Sequence, residues 1–476
     1  MLLKPKLLVG LCVGGILFAL PGSAQARPSG PALFCETYPS SPDCVGRFAT
    51  CDTCHTSTDP VAWNSYGVAL LGALDGRDFD TYLSEALTTV EGEDTDGDGE
   101  VNLDEILIGT APGNAESLWE PLPELSGEPN PWYDLGEYDT VLAYRRMMVL
   151  YCGYSPDYET LTSFRALDEA AQYTELHEQL ALCLDADYWR GLGLRELADK
   201  RIKPIYSVGA ETEVYFSEFR LVLADYDWDY RLWRYILSDD RDMRELLTAQ
   251  YHVEEDGSGG LIRIEGEIAN PNIDNGLAGG QPLEPEHRAG MLTTQWFLVS
   301  NTMFSGVPRT TAAQAYRAYL GMDISKSEGI LPVEGEPLDI DDKGVAAPAC
   351  AQCHATLDPL SYAFSYYYGI ELPVKNGLYD EDRPSDLLDT WDPEVQQSSL
   401  LGQEIASVVE WGQVASESLY FRRAMTNMLF EHALGREALP GEFEELGELI
   451  DSMIADGYSA NRMIHRIVDT DAFGVP

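Results

Sequence analysis

Apolar residues recur at helical spacing along most of the chain, and the breaks between runs predict its elements. Phe79 to Val90 forms one such run and Leu103 to Ile108 a short one. From Tyr138 a longer helical region begins, in which Val141, Leu142, Tyr144, Met148, Leu150 and Tyr151 build a broad apolar face. Leu161 to Leu184 predicts a single further helix, and Arg288 to Leu320 returns to helix. After Ser416 the pattern predicts three amphipathic helices, one ending near Gly435, one over Glu442 to Ala455 and one following Asn461. Strand signals are scarce. Around 251–270, Asp256-Gly-Ser-Gly-Gly260 separates Tyr251-His252-Val253 from Leu261-Ile262-Arg263-Ile264 and predicts a hairpin. Pro121, Pro123, Pro129 and Pro131 mark a linker, and 325–347 is a loop rich in Pro, Gly and Asp. The expected fold class is mainly α and multi-domain, with a minor β hairpin. The expected units are a leader over 1–26, a first unit over 27–125, a central helical domain over 126–340, a segment over 341–395 and a C-terminal helical domain over 396–476.

Residues 1–26 change the picture first. Lys4 and Lys6 precede an apolar stretch from Leu7 to Leu20, and Ala24-Gln25-Ala26 offers a small-x-small cleavage site. That is the pattern of a secretory signal peptide. The apolar run is short for a membrane span and no second run follows, so the expectation is a periplasmic or secreted protein with no membrane span after cleavage. Composition adds an exclusion. With 80 Asp+Glu against 31 Lys+Arg the formal net charge is −49, which argues against nucleic acid, since neutralising phosphates takes clustered Lys and Arg. The same charge disfavours anionic lipid surfaces and suits a basic partner protein.

Nine cysteines are present. Cys12 lies in the leader, and four others fall in Cys51-Asp-Thr-Cys54-His55 and Cys350-Ala-Gln-Cys353-His354. Cys-x-x-Cys-His is the attachment signature of c-type haem: two thiols one turn apart reach the two vinyl groups, and the adjacent imidazole meets the iron. A thioredoxin-like reading needs a βαβ context that the pattern lacks, and a shared zinc site would have to join motifs almost three hundred residues apart. Two covalently bound haem c groups are therefore expected, with His55 and His354 as proximal ligands. Between Arg27 and Arg146 there is no Met, and no His besides His55. The first haem must then borrow a sixth ligand (Met147, Met148, His177 and His252 are candidates), use water, or stay open. For the second, His287, Met303, Met322, Met425, Met428 and His432 are candidates, and Met303 is preferred because Asn-Thr-Met-Phe-Ser-Gly looks irregular. Cys35, Cys44, Cys152 and Cys183 remain, and an exported compartment permits two disulfides. Sequence proximity favours Cys35–Cys44 and Cys152–Cys183, although four cysteines allow three pairings.

Residues 94–105 read Asp-Thr-Asp-Gly-Asp-Gly-Glu-Val-Asn-Leu-Asp-Glu. Asp94, Asp96, Asp98, Asn102 and Glu105 occupy the side-chain ligand positions of a twelve-residue EF-hand calcium loop; Glu100 would offer its carbonyl, and Gly99 and Val101 hold the turn and apolar positions. The loop is unpaired, so a structural calcium that locks the haem segment is expected rather than a sensor.

Cys350-Ala-Gln-Cys-His354-Ala-Thr-Leu-Asp358-Pro359-Leu-Ser-Tyr-Ala-Phe364 resembles the haem segment of large planctomycete- and myxobacterial-type exported cytochromes built from uncharacterised helical domains. His287-Arg-Ala-Gly-Met-Leu-Thr-Thr resembles the element that usually precedes it. His432-Ala-Leu-Gly-Arg436, Tyr458 and Ile467-Val-Asp-Thr-Asp-Ala-Phe473 resemble their C-terminal helical domain. The resemblance spans about 138–476. The first unit is similar to short exported cytochrome segments in which Cys-x-x-Cys-His precedes Asn-x-Tyr-Gly, here Asn64 to Gly67, and an acidic calcium loop. These resemblances imply a c-type cytochrome and assign no reaction. The functional expectation is an exported di-haem cytochrome passing single electrons between redox partner proteins. The alternative is a di-haem oxidoreductase of the peroxidase kind with one open haem site.

Overall fold

The computed structural model describes residues 29–45, 48–58, 61–117, 138–204, 211–216, 219–266, 281–301, 306–324, 340–341, 357–369, 378–401 and 403–475. The leader, Met303 and the second Cys-x-x-Cys-His motif lie outside these residues. What is described is mainly helical, with strands only in small two-stranded antiparallel sheets.

The first unit packs α1 (Gly30–Thr37) and α2 (Ser65–Leu74) against α3 (Phe79–Thr89), with the short α4 (Asn102–Ile108) beyond the acidic loop. Its core is its own: Phe34, Tyr66, Leu70, Leu74, Leu83, Ala86, Leu87, Val90 and Ile106 are buried together. Each helix starts where a local signal asks for it. Asn64 caps α2 by accepting from Gly67 N, and Asp78 caps α3 by accepting from Thr81 N. A disulfide joins Cys35 to Cys44 and a second joins Cys152 to Cys183, with Cα separations of 5.1 and 4.7 Å. Both are the pairings that sequence proximity favoured. Between the Cys51 turn and α2 lies a hairpin that the sequence pattern did not predict, β1 (His55–Thr58) with β2 (Val61–Trp63).

The central region holds α5 (Thr140–Met147), α6 (Tyr158–Arg165), α7 (Glu169–Asp185), α8 (Leu194–Ile202), α9 (Asp227–Ile236), α10 (Glu245–Thr248), α11 (Gln295–Asn301) and α12 (Arg309–Ala315). The single helix expected over Leu161 to Leu184 is two. Asp168 accepts from Ala171 N and starts α7 afresh after Ala166 has ended α6. Three short π-helical turns, Met148–Cys152, Tyr188–Gly193 and Tyr316–Leu320, interrupt the helical body. A hairpin of β3 (Glu211–Phe216) and β4 (Phe219–Asp225) precedes α9, and the expected hairpin is β5 (His252–Glu255) with β6 (Leu261–Ile264).

Beyond α13 (Arg383–Leu387), strands β7 (Ser398–Leu400) and β8 (Gln403–Ile405) lead into α14 (Val408–Glu417), α15 (Leu419–Leu434), α16 (Phe443–Ala455), α17 (Ala460–Val468) and α18 (Asp471–Gly474). The three expected helices correspond to α15, α16 and α17. Hydroxyl caps organise the series: Ser407, Ser418, Ser459 and Thr470 open α14, α15, α17 and α18, and Gly435 closes α15 in the left-handed region. These helices share one apolar core with the central region, in which Met147, Trp233, Trp411, Met425 and Ile467 are fully buried. The first unit meets this body where the ring of Phe48 lies 4.6 Å from that of Tyr420 and under the Arg423 guanidinium.

Candidate functional site

The first motif begins as a 3₁₀ turn, Cys51–Thr53, in which Cys54 N donates to the Cys51 carbonyl at 3.2 Å. The two thiols are not disulfide-bonded. Asn64 organises the turn. Its backbone N–H donates to the Cys54 carbonyl at 3.1 Å, and its side-chain amide donates to the Asp52 and Thr53 carbonyls, each at 3.0 Å. The amide oxygen meanwhile caps α2. One buried residue thus binds three successive carbonyls of the motif to the start of a helix. Gly67 makes the contact possible, since a Cβ there would sit 2.2 Å from the Cys54 carbonyl oxygen and 2.6 Å from the Trp63 ring.

Cys51, Cys54 and His55 line a cavity of about 60 Å³, whose walls include Phe34, Trp63, Leu70, Leu74, Phe79, Leu83 and Leu87. Leu71 lines it while remaining 39% exposed, so the cavity opens at the surface, and Val68 lies on the same helix at 57%. Burial, with the neighbouring Cys51, pushes the Cys54 thiol up to about 12. His55 is buried against Trp63 with ring centroids 4.1 Å apart. Its pKa is lowered by burial, opposed by a backbone hydrogen bond at Ala62, and its Nδ1 is buried with no hydrogen-bond partner. Two thiols and an imidazole with an unsatisfied nitrogen, meeting at an apolar opening, are the donor set of a tethered macrocycle.

The candidate sixth ligands of the first site lie elsewhere. Met147 and Met148 are buried in the large core, Met148 against Cys152. His177 Nδ1 pairs with His465 Nδ1 and its Nε2 with Asp469 Oδ1, both at 2.8 Å. His252 lies beside Trp228, with Nε2 3.2 Å from Glu254. Among the described residues, the cavity lining holds no Met and no His other than His55. Of the candidates for the second site, His287 stacks on Tyr379 at 3.7 Å, Met425 and Met428 are core residues and Met322 is partly buried against the same core. His432 lies beside the touching rings of Tyr151 and Trp189, its Nε2 buried with no hydrogen-bond partner.

In the acidic loop the carboxylates of Asp94, Asp96 and Asp98 converge, with one oxygen from each within 4.8 Å of the others. Their backbone environment is turned inward: Asp94 accepts from Gly97 N and Gly99 N, and Gly97 and Gly99 adopt positive φ. Glu105 is buried, and neither of its carboxylate oxygens has a hydrogen-bond partner. Burial first, then Asp96, Asp98 and Asp94, pushes its carboxyl up to about 7. Asn102 is placed differently. Its amide donates to the Val90 carbonyl at 2.7 Å and accepts from Thr95 Oγ1 at 2.8 Å, so it fastens the loop. Glu100 N donates to Asp98 at 2.8 Å. Thr95 Oγ1 shares its single hydrogen between Asn102 and the Pro112 carbonyl, which it reaches at 2.6 Å, and the next residue, Gly113, lies so close to the Asn64 side chain that a Cβ would come within 2.4 Å of it. The sequence pattern marked Asn64-Ser-Tyr-Gly67 but not this role; an Asn ahead of a helix's first apolar turn was the available signal.

Residues 401–473, covering β8 to α18, match the model of a family described as a protein of unknown function (DUF1585), a domain found in cytochrome c-like proteins. No curated protein and no solved structure matches the chain. Among the described residues, no helix is long and apolar enough to cross a membrane.

Proposed function

We propose that the protein is an exported c-type cytochrome, periplasmic or secreted, that carries two covalent haem c groups and passes single electrons between redox partners. The observation that carries this reading is the meeting of Cys51, Cys54 and His55 at one apolar cavity. Bound there, haem would supply a one-electron iron couple. The chain's part would be to tether it through Cys51 and Cys54, present the His55 imidazole and exclude water with Phe34, Leu70, Leu74 and Leu83. Cys350, Cys353 and His354 would serve the second group in the same way. The exposed Val68 and Leu71 beside the opening, on a protein of charge −49, suit docking by a basic redox protein. Calcium would be held by Asp94, Asp96, Asp98 and Glu105, whose two unpartnered oxygens match the bidentate last position of such a loop.

Mass spectrometry of the mature chain, made in a host with cytochrome c maturation, tests the reading. Two added haem masses, mapping to the Cys51–Cys54 and Cys350–Cys353 peptides, are expected; their absence refutes it. A second reading, an oxidoreductase of the peroxidase kind, is favoured by one observation: the described lining of the first cavity offers no Met or second His opposite His55. A high-spin ferric signal with peroxide turnover would select it, and two low-spin haems would select electron transfer.

A further inference from the structure

The first unit keeps a core of its own, yet two of its residues belong to the body as well. Ala32 is buried among the residues of the large core, and Phe48 packs half-buried against both cores. Tyr420, the second residue of α15, touches the two of them. Its ring lies 4.6 Å from that of Phe48, and Arg423, one turn further along the same face, lays its guanidinium 4.3 Å from the Phe48 centroid. Its phenol oxygen accepts from the Ala32 backbone N–H. Ala32 is the third residue of α1, so that N–H has no partner within the helix. Ser29, ahead of the helix, makes no cap and turns its hydroxyl to Asp80 instead. A side chain of the body therefore does for α1 what a cap would do.

The wall of the first cavity lies on either side of these contacts. Gly30 and Pro31 line it just before Ala32, and Ala49, Thr50 and Cys51 line it just after Phe48. Burial raises the Tyr420 phenol above its ordinary range; Ala32 and Arg423 oppose the rise, and Glu36 and Cys51 add to it, which puts Cys51 within electrostatic reach of the hydroxyl. Close-packed contacts of this kind transmit a displacement rather than absorb it.

We infer that Tyr420, inside the segment that matches the family of unknown function, is a positioning residue for the first haem motif: it holds the start of α1 and the approach to Cys51 in one register, so that the body shapes a site carried by the first unit. The inference rests on the haem reading above for its spectroscopic test only. In the loaded full chain, Tyr420→Ala is expected to shift the midpoint potential and the absorption band of the haem on Cys51 and Cys54, with the other haem unmoved. Leu429→Val, a truncation in the core face of the same helix, is expected to lower the melting temperature and leave both haem signatures in place. An unshifted first haem in Tyr420→Ala, or an equal shift in Leu429→Val, overturns the inference. Should the alanine variant not fold, Tyr420→Phe decides: it keeps the ring and loses the oxygen, so hydrogen exchange of the Ala32 amide is expected to quicken roughly fivefold, and an unchanged rate is the refutation. If the parent chain carries no porphyrin at Cys51 and Cys54, the haem reading fails on its own. Reagent modification of the Cys54 thiol in that chain, expected to run about tenfold faster in Tyr420→Ala, then decides the inference, and an equal rate overturns it.

Discussion

Gly67 and Gly72 stand in the same helix and predict opposite outcomes for the same substitution. Neither has a positive φ, so alanine at either position should gain about 0.5–1 kcal/mol by restricting the unfolded chain and favouring helix. At Gly72 nothing lies within 4 Å of the added Cβ, and that gain should be realised. At Gly67 the Cβ would lie 2.2 Å from the Cys54 carbonyl oxygen, 2.6 Å from the Trp63 ring and 3.1 Å from the Cys54 carbonyl carbon. Ordinary contact therefore requires a displacement of about 1 Å, and the obstacle is backbone that Asn64 holds from three sides. Overpacking of this kind costs about 1–3 kcal/mol. The net expectation for Gly67→Ala is a loss of about 1 kcal/mol, which for a unit of this size amounts to roughly 5 °C in melting temperature. Thermal melts of both variants, with peptide mapping of haem on Cys51 and Cys54, provide the assay. Gly67→Ala should also lower attachment at Cys54, whose carbonyl must move. If it melts and attaches like Gly72→Ala, the account of the cradle is wrong.

Glu105→Gln should abolish the calcium-dependent rise in melting temperature. In calcium-free wild type the raised Glu105 carboxyl, at about 7 against an ordinary 4.5, imposes a penalty absent below pH 4.5 and complete above pH 7. Stability of the first unit should then fall by up to about 3 kcal/mol from pH 5 to pH 8, and the glutamine variant should lack that slope in urea titrations. Burial first and the facing His177 second hold His465 below the usual histidine range, with Asp469 and Asp240 opposing. A base depressed on folding is destabilising when protonated, so the joint between α7 and α17 should weaken as pH drops below about 6.5; His465→Gln should flatten hydrogen exchange of α17 against pH, and an unchanged slope counts against the pair.

Which features were legible in sequence follows from how far apart their causes lie. Gly435 announces the end of α15 and was read so; Ser407 and Thr470 announce starts just as locally, yet α14 and α18 were not among the expected helices. Asp168 announces a start in the same way, yet the apolar spacing from Leu161 to Leu184 continues across it, and the pattern overrode the cap. Hairpins β1–β2 and β3–β4 carry no Asn-Gly or Gly-Gly turn to advertise them. Chemistry written into contiguous motifs was readable: Cys51 to His55 converge on a cavity, and three of the loop's acids meet. Asn102 shows the limit, because its position in the motif specifies a ligand while its neighbours Val90 and Thr95 take its amide. Arg309 pairs with acids 32 and 49 residues away and His177 with a histidine 288 away; no local pattern encodes such partners.

The acidic loop and the first cradle are joined by a short chain of contacts, each with a direction. The turn that carries Cys51 and Cys54 has little regular structure of its own, and its carbonyls depend on Asn64. Asn64 is covered by Gly113, which follows the Pro112 carbonyl held by Thr95, and Thr95 stands between two of the converging aspartates. An ion that fixes Asp94 and Asp96 therefore fixes Thr95, and through it the residue that shapes the cysteine turn. Spatial succession alone does not establish coupling, but this succession has a removable link. Calcium removal should perturb the absorption spectrum of the first haem and leave the second unchanged. Thr95→Val, which keeps every carboxylate and loses only the hydroxyl, should retain calcium binding and blunt that spectral response. An undiminished response in Thr95→Val would mean that the loop acts through the packing of α3 and α4 instead.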